Sequence, residues 1–599
     1  MRKKYPVFKT LKRIINEVVK KDRGIIFAFI IFTLIAGILP MFPVYFPKLI
    51  IDTLLITNVD INYLVTIIIA FTIFTALLGF LDRVINYVIQ PRITMIRIDL
   101  LTATYNKLNN LDYRYTEDPK FLDVHEDALE ATANSSNGFE GIMTRMFSLG
   151  GKLLTLIFYI VIISRLSYLV LVALLVSVTV SIITSVLAKK FRYKNKEKLA
   201  HASRKIRYFS NMTHDFSYGK DIRLFNFQER IQDSYHYEIK SYVSVYRKVK
   251  NKEYFLGFID LLFVLVSDSF LYYILITKVL GGMSISLFSM YLVTAVALST
   301  LLKVIGEDFS FIVGEGQYVR DYYTFMETEF NLPTGNIKGV EDDTLEIEFK
   351  NVSFKYPNTE KWIIKDLNLK IEKGEKLAII GVNGAGKTTL VKLITRLFDP
   401  TSGEILVNGK NAKEYDKEEY QKLFSTVFQD VNVLAFTVRE NITLGLSNDE
   451  MRIWEALAKV GLKDKVQGFE KGLDQMMLKN IDEEGVVLSG GENQKLAIAR
   501  ALYKDGKAII LDEPTAALDA LAEAKIYEEF NDLIGNKTAI YISHRLASTK
   551  FCDRVAFFKD SRLSEYGHHD ELMNLKGDYY QMFIVQGKYY QEETLNEEN

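Results

Sequence analysis

One cysteine in 599 residues, Cys552, leaves the chain without a disulfide framework and without a cysteine-ligated zinc site. Net charge is missing too. The 74 basic side chains are matched by 74 acidic ones, so no global field draws the molecule to nucleic acid. A signal-peptide cleavage site is also lacking: residues 1–23 are basic, and no small-residue site follows the apolar run after them. That segment is therefore read as retained. Finally, the short connections near Asp52 to Asp60, Arg165 and Lys278 to Ser284 hold almost no Lys or Arg, whereas segments 92–145 and 189–252 are rich in both.

What the chain has instead is long apolar runs. Stretches at about 24–49, 62–90, 147–165, 167–188, 254–277 and 284–306 approach the roughly 20 residues that a bilayer requires. The third and fourth are divided only by Ser164-Arg165-Leu166-Ser167, and together they exceed one span, which predicts a tight hairpin. Placing the basic segments inside gives six helices with both termini in the cytoplasm. Before them, Phe8, Leu11, Ile15 and Val18 recur at helical spacing among cations, predicting an amphipathic elbow on the inner membrane surface. The expected location is the cell membrane, as a multi-pass protein of a bacterial plasma membrane.

Near Asn331 to Asn336 the composition changes, and strands such as Thr344 to Phe349 and Glu404 to Val407 begin to alternate with helical patterns. The expected organisation is an elbow at 1–23, an α-helical six-span domain at 24–330, a linker at 331–344, an α/β P-loop domain at 345–586 and a polar tail at 587–599. Asp118-Pro119-Lys120-Phe121 and Ser217 to Phe225 read as turns between helices that project below the membrane.

The soluble half is organised around Gly381 to Thr388, Gly-Val-Asn-Gly-Ala-Gly-Lys-Thr, which fits G-x-x-x-x-G-K-[ST]. An apolar strand, Leu377 to Ile380, precedes it. A helix follows, its apolar positions Leu390, Leu393, Ile394, Leu397 and Phe398 running until Asp399-Pro400 stops it. Glycines let backbone N–H groups converge on phosphate at the helix N-terminus, Lys387 reaches the β- and γ-phosphates, and the Thr388 hydroxyl ligates Mg²⁺. Asn383, Gly384, Ala385, Gly386 and Thr389 complete the expected cradle for ATP.

Further along, Ala508 to Leu511 is a buried-strand run that ends in Asp512-Glu513. Asp512 is expected to hold Mg²⁺ through water, and Glu513 to act as general base on the attacking water. His544, closing the strand Thr538 to Ser543, can bond a γ-phosphate or that water. Tyr356 is placed to stack on adenine, and Gln429 to serve as a Mg²⁺ and water ligand. Leu488-Ser489-Gly490-Gly491-Glu492 opens a helix with Ser489 as N-cap.

Together the phosphate loop, Gln429, LSGGE, Leu511-Asp512-Glu513-Pro514, Ala517-Leu518-Asp519 and His544 resemble the ATP-binding cassette family, over about Leu345 to Gln586. With six preceding spans the whole chain looks like an exporter-type half-transporter. The resemblance implies an ATP hydrolase coupled to transport, in which each ATP lies between one subunit's phosphate loop and the other's Ser489, Gly490 and Gly491. The partner is then a second half-transporter, in a homodimer by preference or a heterodimer, with the bilayer around both and no nucleic acid.

Similarity to peptide and bacteriocin exporters makes a peptide the first expected cargo. No cysteine-protease domain precedes the spans, so any leader would be cut by another protein. A lipid flippase or multidrug exporter is the alternative, and an ATP-binding regulatory or immunity protein that moves nothing is a reading from another class. Glu492 stands where the family usually has Gln: the S-x-x-E spacing fits a capping box, and an added charge near the partner's phosphate is the other reading. Asp82, Arg83, Asp260 and Asp268 lie in or near spans. Asp260 and Asp268, spaced to share roughly one helix face, are expected either to face a cavity that favours cationic cargo or, by preference, to pair with Arg83.

Overall fold

The computed structural model describes residues 7–56, 60–215, 218–514, 534–543, 549 and 551–585. The chain divides into two units, one of residues 1–111 and 120–329 and one of residues 112–119 and 330–599.

The first unit is all helix. Its elements are α1 (Val7–Lys21), α2 (Gly24–Ile38), α3 (Phe42–Leu54), α4 (Ile61–Asn109), α5 (Pro119–Glu130), α6 (Gly138–Leu166), α7 (Tyr168–Lys194), α8 (Lys196–His214), α9 (Gly219–Leu224), α10 (Gln228–Leu280) and α11 (Ile285–Glu327). Six segments are long and apolar enough to cross a membrane: Gly24–Leu54, which joins α2 and α3, and then α4, α6, α7, α10 and α11. The six expected spans are all present. The α6–α7 hairpin also forms, because extended Ser167 (φ −167°, ψ 130°) interrupts the helix between Leu166 and Tyr168.

Two apolar clusters hold these helices. Ile14 and Val18 of α1 are buried with Ile25, Phe32, Ile93, Phe139 and Tyr322, while Val44, Ile163, Leu174, Leu275 and Leu298 form the second cluster. Large apolar side chains such as Phe27, Phe80 and Val266 remain exposed, as helices in hydrocarbon require.

The charged groups in the spans are arranged differently from expectation. Among the described residues, Asp260 and Asp268 form no ion pair with Arg83; the Asp82 carboxylate is bonded instead by the amide of Asn86, one turn on. Buried carboxylates that do find cations are Glu140, which pairs with Arg97, and Asp308, 3% exposed, which takes Arg145 at 2.5 Å and also Lys152. A lone buried charge is too costly to persist, and α6 presents Arg145 and Lys152 two turns apart on the face that meets α11. Arg83 sits on a different helix, α4, and is exposed.

The second unit contains two sheets. One is antiparallel, in the order β2 (Ile364–Ile371), β1 (Ile347–Phe354), β4 (Ser402–Val407) and β5 (Lys410–Asn411). The other has the order β10 (Arg562–Gly567), β9 (Arg554–Lys559), β3 (Lys376–Gly381), β8 (Thr538–Ile542), β7 (Ala508–Asp512) and β6 (Phe424–Val427). In that sheet β3, β6, β7, β8 and β9 pair in parallel and β10 turns back antiparallel. The parallel strands are buried on both faces, so they read as unbroken apolar runs. The first strand starts three residues later than its expected Thr344 and continues to Phe354.

The helix after the phosphate loop, α12 (Lys387–Ile394), stops short of Asp399. Arg396 takes the left-handed conformation (φ 51°), and the N–H groups of Leu397 and Phe398 both turn back to the carbonyl of Lys392. The Arg396 guanidinium, 1% exposed, donates to the carbonyls of Ala412, Tyr415 and Pro333. Leu397 and Phe398 thus keep their apolar role without being helical.

Candidate functional site

The centre of the second unit is the turn from β3 into α12. Gly386 stands at the helix N-cap in a left-handed conformation (φ 98°), and a Cβ there would come within 2.8 Å of the Ile363 carbonyl oxygen. Only glycine fits. Lys387 is nearly buried (8% exposed), and its ammonium donates to the Gly381 carbonyl at 2.9 Å. Burial pushes its pKa down while the nearby charges of Glu513 and Asp512 work to keep it protonated. The lysine therefore lies folded over the loop with few groups competing for its charge, the arrangement suited to an anion.

A cavity of about 610 Å³ opens beside it. Tyr356, Asn383, Gly384, Gly386, Lys387, Thr388, Thr389, Gln429 and Glu513 line it, together with Ile363. Gly381 and Ala385 are buried behind the loop. Tyr356 has its hydroxyl 3.1 Å from the Thr389 hydroxyl, and its ring meets those of Phe354 and Phe398 edge-on. Its orientation is therefore fixed from behind before anything stacks on it.

Asp512 ends β7 at 1% exposure, and one carboxylate oxygen, Oδ2, is buried without a hydrogen-bond partner. Burial raises its pKa to about 6, with the Thr388 hydroxyl working against the shift and the Glu513 charge adding to it. An orphaned carboxylate oxygen beside a threonine hydroxyl fits a hard divalent cation. Glu513 is left-handed (φ 50°), its N–H tied to the Ile542 carbonyl at 2.9 Å, and this conformation turns its carboxylate to accept the Gln429 amide at 2.9 Å. A left-handed non-glycine at the mouth of a cavity is a strained backbone, and such strain gathers at functional sites.

Ser489, Gly490 and Gly491 do not line this cavity. Ser489 and Gly490 are exposed, at the start of the helix Gly490–Lys504. A full capping box forms there: the Ser489 N–H donates to Glu492 Oε2 at 2.8 Å, and the Glu492 N–H donates back to the Ser489 hydroxyl. The Glu492 carboxylate also holds Lys465, and its pKa is lowered by that lysine and by the Ser489 N–H. Its charge is answered within its own subunit, which favours the capping reading. His544 and Ala517, Leu518 and Asp519 lie outside the described residues.

Three residues near the cavity were not singled out by the sequence reading. Ile363 is an unremarkable apolar residue before β2, and Asn358 and Lys392 belong to no motif. Only their contacts give them a role: Ile363 through the carbonyl that crowds Gly386, Asn358 through Asp118 and Lys392 through Glu117.

Residues 364–516 match the family model described as ABC transporter. The subtilin transport ATP-binding protein SpaT of Bacillus subtilis is 27% identical over 574 residues, which cover 95% of this chain and 92% of that protein. An ATP-dependent lipid A-core flippase of Burkholderia orbicola is 37% identical over 254 residues, 42% of each chain. The beta-(1-->2)glucan export ATP-binding/permease protein NdvA of Bartonella bacilliformis is 36% identical over 267 residues, 44% of this chain and 43% of that one. The match spans less than half the length of the flippase and of NdvA. Among solved structures, a bacterial Atm1-family ABC exporter with ATP bound superposes with a TM-score of 0.78, covering 94% of this chain and 98% of that one at 21% identity.

Proposed function

We propose that the chain is an ATP-hydrolysing ABC transporter of exporter type, a multi-pass membrane protein of which two copies work together to export a peptide by alternating access. One observation supports the pairing above all others. The phosphate loop, Gln429 and Glu513 share one cavity, while Ser489 and Gly490 stand exposed, and neither they nor Gly491 line it. A second copy turned head to tail supplies the missing wall.

In this reading Lys387 and the loop N–H groups hold the β- and γ-phosphates of ATP, and Ser489 to Gly491 of the other copy cover the γ-phosphate. Thr388, Gln429 and Asp512 are the residues that would hold Mg²⁺, which neutralises charge on the phosphates when bound. Glu513, with its carboxylate oriented by the Gln429 amide, takes a proton from the attacking water. His544 is assigned the contact to the γ-phosphate.

Closure has to reach the membrane helices. Each copy presents an apolar tip at the C-terminal end of α9, Leu224 and Phe225, about three quarters exposed. Its second unit carries a groove of about 640 Å³ lined in part by Leu397, Phe428, Val431 and Leu444.

For the cargo, the SpaT match runs through the membrane helices, whereas the flippase and glucan-exporter matches cover under half of the chain. Subtilin is a peptide, and the helices rather than the ATP site touch cargo, so a peptide is the better-supported class. Lipid and multidrug export remain the alternative. A switch that moves nothing is disfavoured because the Gln429–Glu513 pair orients a base that binding alone does not need.

The test is the ATPase rate of the chain in lipid nanodiscs beside Glu513→Gln, with and without a panel of cationic and apolar peptides. Activity that is lost in the variant and stimulated by a peptide supports the reading. Activity that responds to lipids and to no peptide would replace the cargo, and a folded, ATP-binding chain without hydrolysis would replace the mechanism.

A further inference from the structure

Residues 112–118, between α4 and α5, belong with Pro119 at the start of α5 to the second unit, although the rest of both helices belongs to the first. Four anchors hold them there. Asp112 bonds the Leu332 N–H and pairs with Lys417. The Tyr113 ring meets Phe398 edge-on, with centroids 5.9 Å apart. Glu117 pairs with Lys392 at 2.8 Å, and the Asn358 amide donates to Asp118 at 3.2 Å.

The last two anchors reach Tyr356, one through its ring and one through its own stretch of chain. Lys392 is on α12, five residues past Lys387, and its ammonium sits 5.3 Å from the Tyr113 ring, 5.6 Å from Tyr356 and 5.8 Å from Phe398. Tyr113 also donates its hydroxyl to Glu117 at 2.8 Å, closing the ring of contacts. The ammonium is therefore caged by three aromatic faces and one carboxylate, with little exposure (16%). Asn358 is two residues beyond Tyr356, in the turn that fixes where β1 ends. Moving 112–119 must move the back of Tyr356 from both directions.

We propose that Glu117 and Asp118, acting through Lys392 and Asn358, are positioning residues for Tyr356, so that the segment between α4 and α5 sets how tightly the base of the nucleotide is held. The inference rests on the placement of Tyr356 against adenine. It predicts a split in affinity. Triphosphate contacts come from Lys387 and the loop, to which none of the four anchors runs, whereas base contacts come through Tyr356.

The experiment compares binding of ATP and of inorganic tripolyphosphate, both with Mg²⁺, to the full chain in nanodiscs carrying Glu117→Gln, Asn358→Ala, Lys392→Met or Lys392→Arg. The first three variants are expected to lose several-fold in ATP affinity and nothing for tripolyphosphate, and Lys392→Arg, which keeps the cation, to recover most of the loss. The reversed pair Glu117→Lys with Lys392→Glu should bind ATP better than either single reversal. Equal losses for both ligands would mean a merely structural role and would overturn the proposal, as would unchanged ATP binding in all variants. Tyr356→Ala is the control for the underlying reading: if it binds ATP as wild type does, the adenine placement itself is wrong.

Discussion

Two helix N-termini in the second unit look alike in sequence, glycine-rich and preceded by apolar residues, yet they are finished in opposite ways. At α12 the cap is a left-handed glycine with no side-chain bond, the lysine folds over the loop, and the end opens on a cavity. At Gly490 the first turn is closed by a reciprocal Ser489–Glu492 box and faces solvent. A terminus whose donors are left for a ligand differs from one whose first donors are already answered. The first can bind a phosphate group alone; the second can only add to a site built elsewhere. This contrast is the physical reason for assigning the two ends to different copies.

The strongest way to break the contrast is through the base at the open end. Glu513→Gln should lower kcat by about 10²–10⁴-fold, as loss of a general base does, while ATP still binds; steady-state turnover and nucleotide binding measured together check both halves. Next in size, Lys387→Met should weaken ATP binding by roughly 100-fold, since a charge-assisted contact with phosphate is worth about 1.5–3 kcal/mol, and titration with a fluorescent nucleotide reads it.

A smaller effect follows from Asp512. Its pKa of about 6 lies above the ordinary aspartate range, so the metal-free protein keeps it protonated below that value, and a proton there competes with a cation. Lowering the pH from 7 to 5 should weaken Mg²⁺ binding about tenfold. The sign for stability is opposite to that of a salt-bridged carboxylate: without metal, this group costs stability as pH rises from about 4 to 6, because the folded state retains a proton that the unfolded chain has already released. Asp512→Asn should flatten both dependences, by calorimetry and by thermal melts.

The least effect is expected at the closed end. Glu492→Ala should cost about 1 kcal/mol of stability through the lost cap, and Glu492→Gln less, since Gln can keep the box. Neither should alter ATP affinity. A gain in affinity with Glu492→Gln would restore the electrostatic reading that the capping geometry displaces.

Much of this was legible in the sequence because it is local. A phosphate loop needs strand, glycines, lysine and helix in one stretch, and a span needs about 20 apolar residues in one run. Tyr356, Gln429 and Glu513 could be nominated one by one, and the sheet then brings them to one cavity. Three features were hidden for a common reason, which is that burial creates partners across long separations. Arg396 ends α12 by turning inward to carbonyls up to 63 residues away, which no periodicity encodes. Asp308, which no motif marks, finds Arg145 and Lys152 on another helix. Lys392 and Glu117 are 275 residues apart, and neither belongs to a motif. The site's left-handed Glu513 is likewise a product of the fold, not of its neighbours in sequence.

The central claim is that each nucleotide lies between the phosphate loop of one copy and Ser489 to Gly491 of another. Introducing Asn383→Cys and Gly490→Cys in a background where Cys552 is replaced by Ala, then oxidising in the presence of ATP and Mg²⁺ with Glu513→Gln to hold the closed state, tests it directly. The account predicts an ATP-dependent disulfide-linked dimer that neither single cysteine forms. A double-cysteine protein that binds ATP and stays monomeric on oxidation would contradict it.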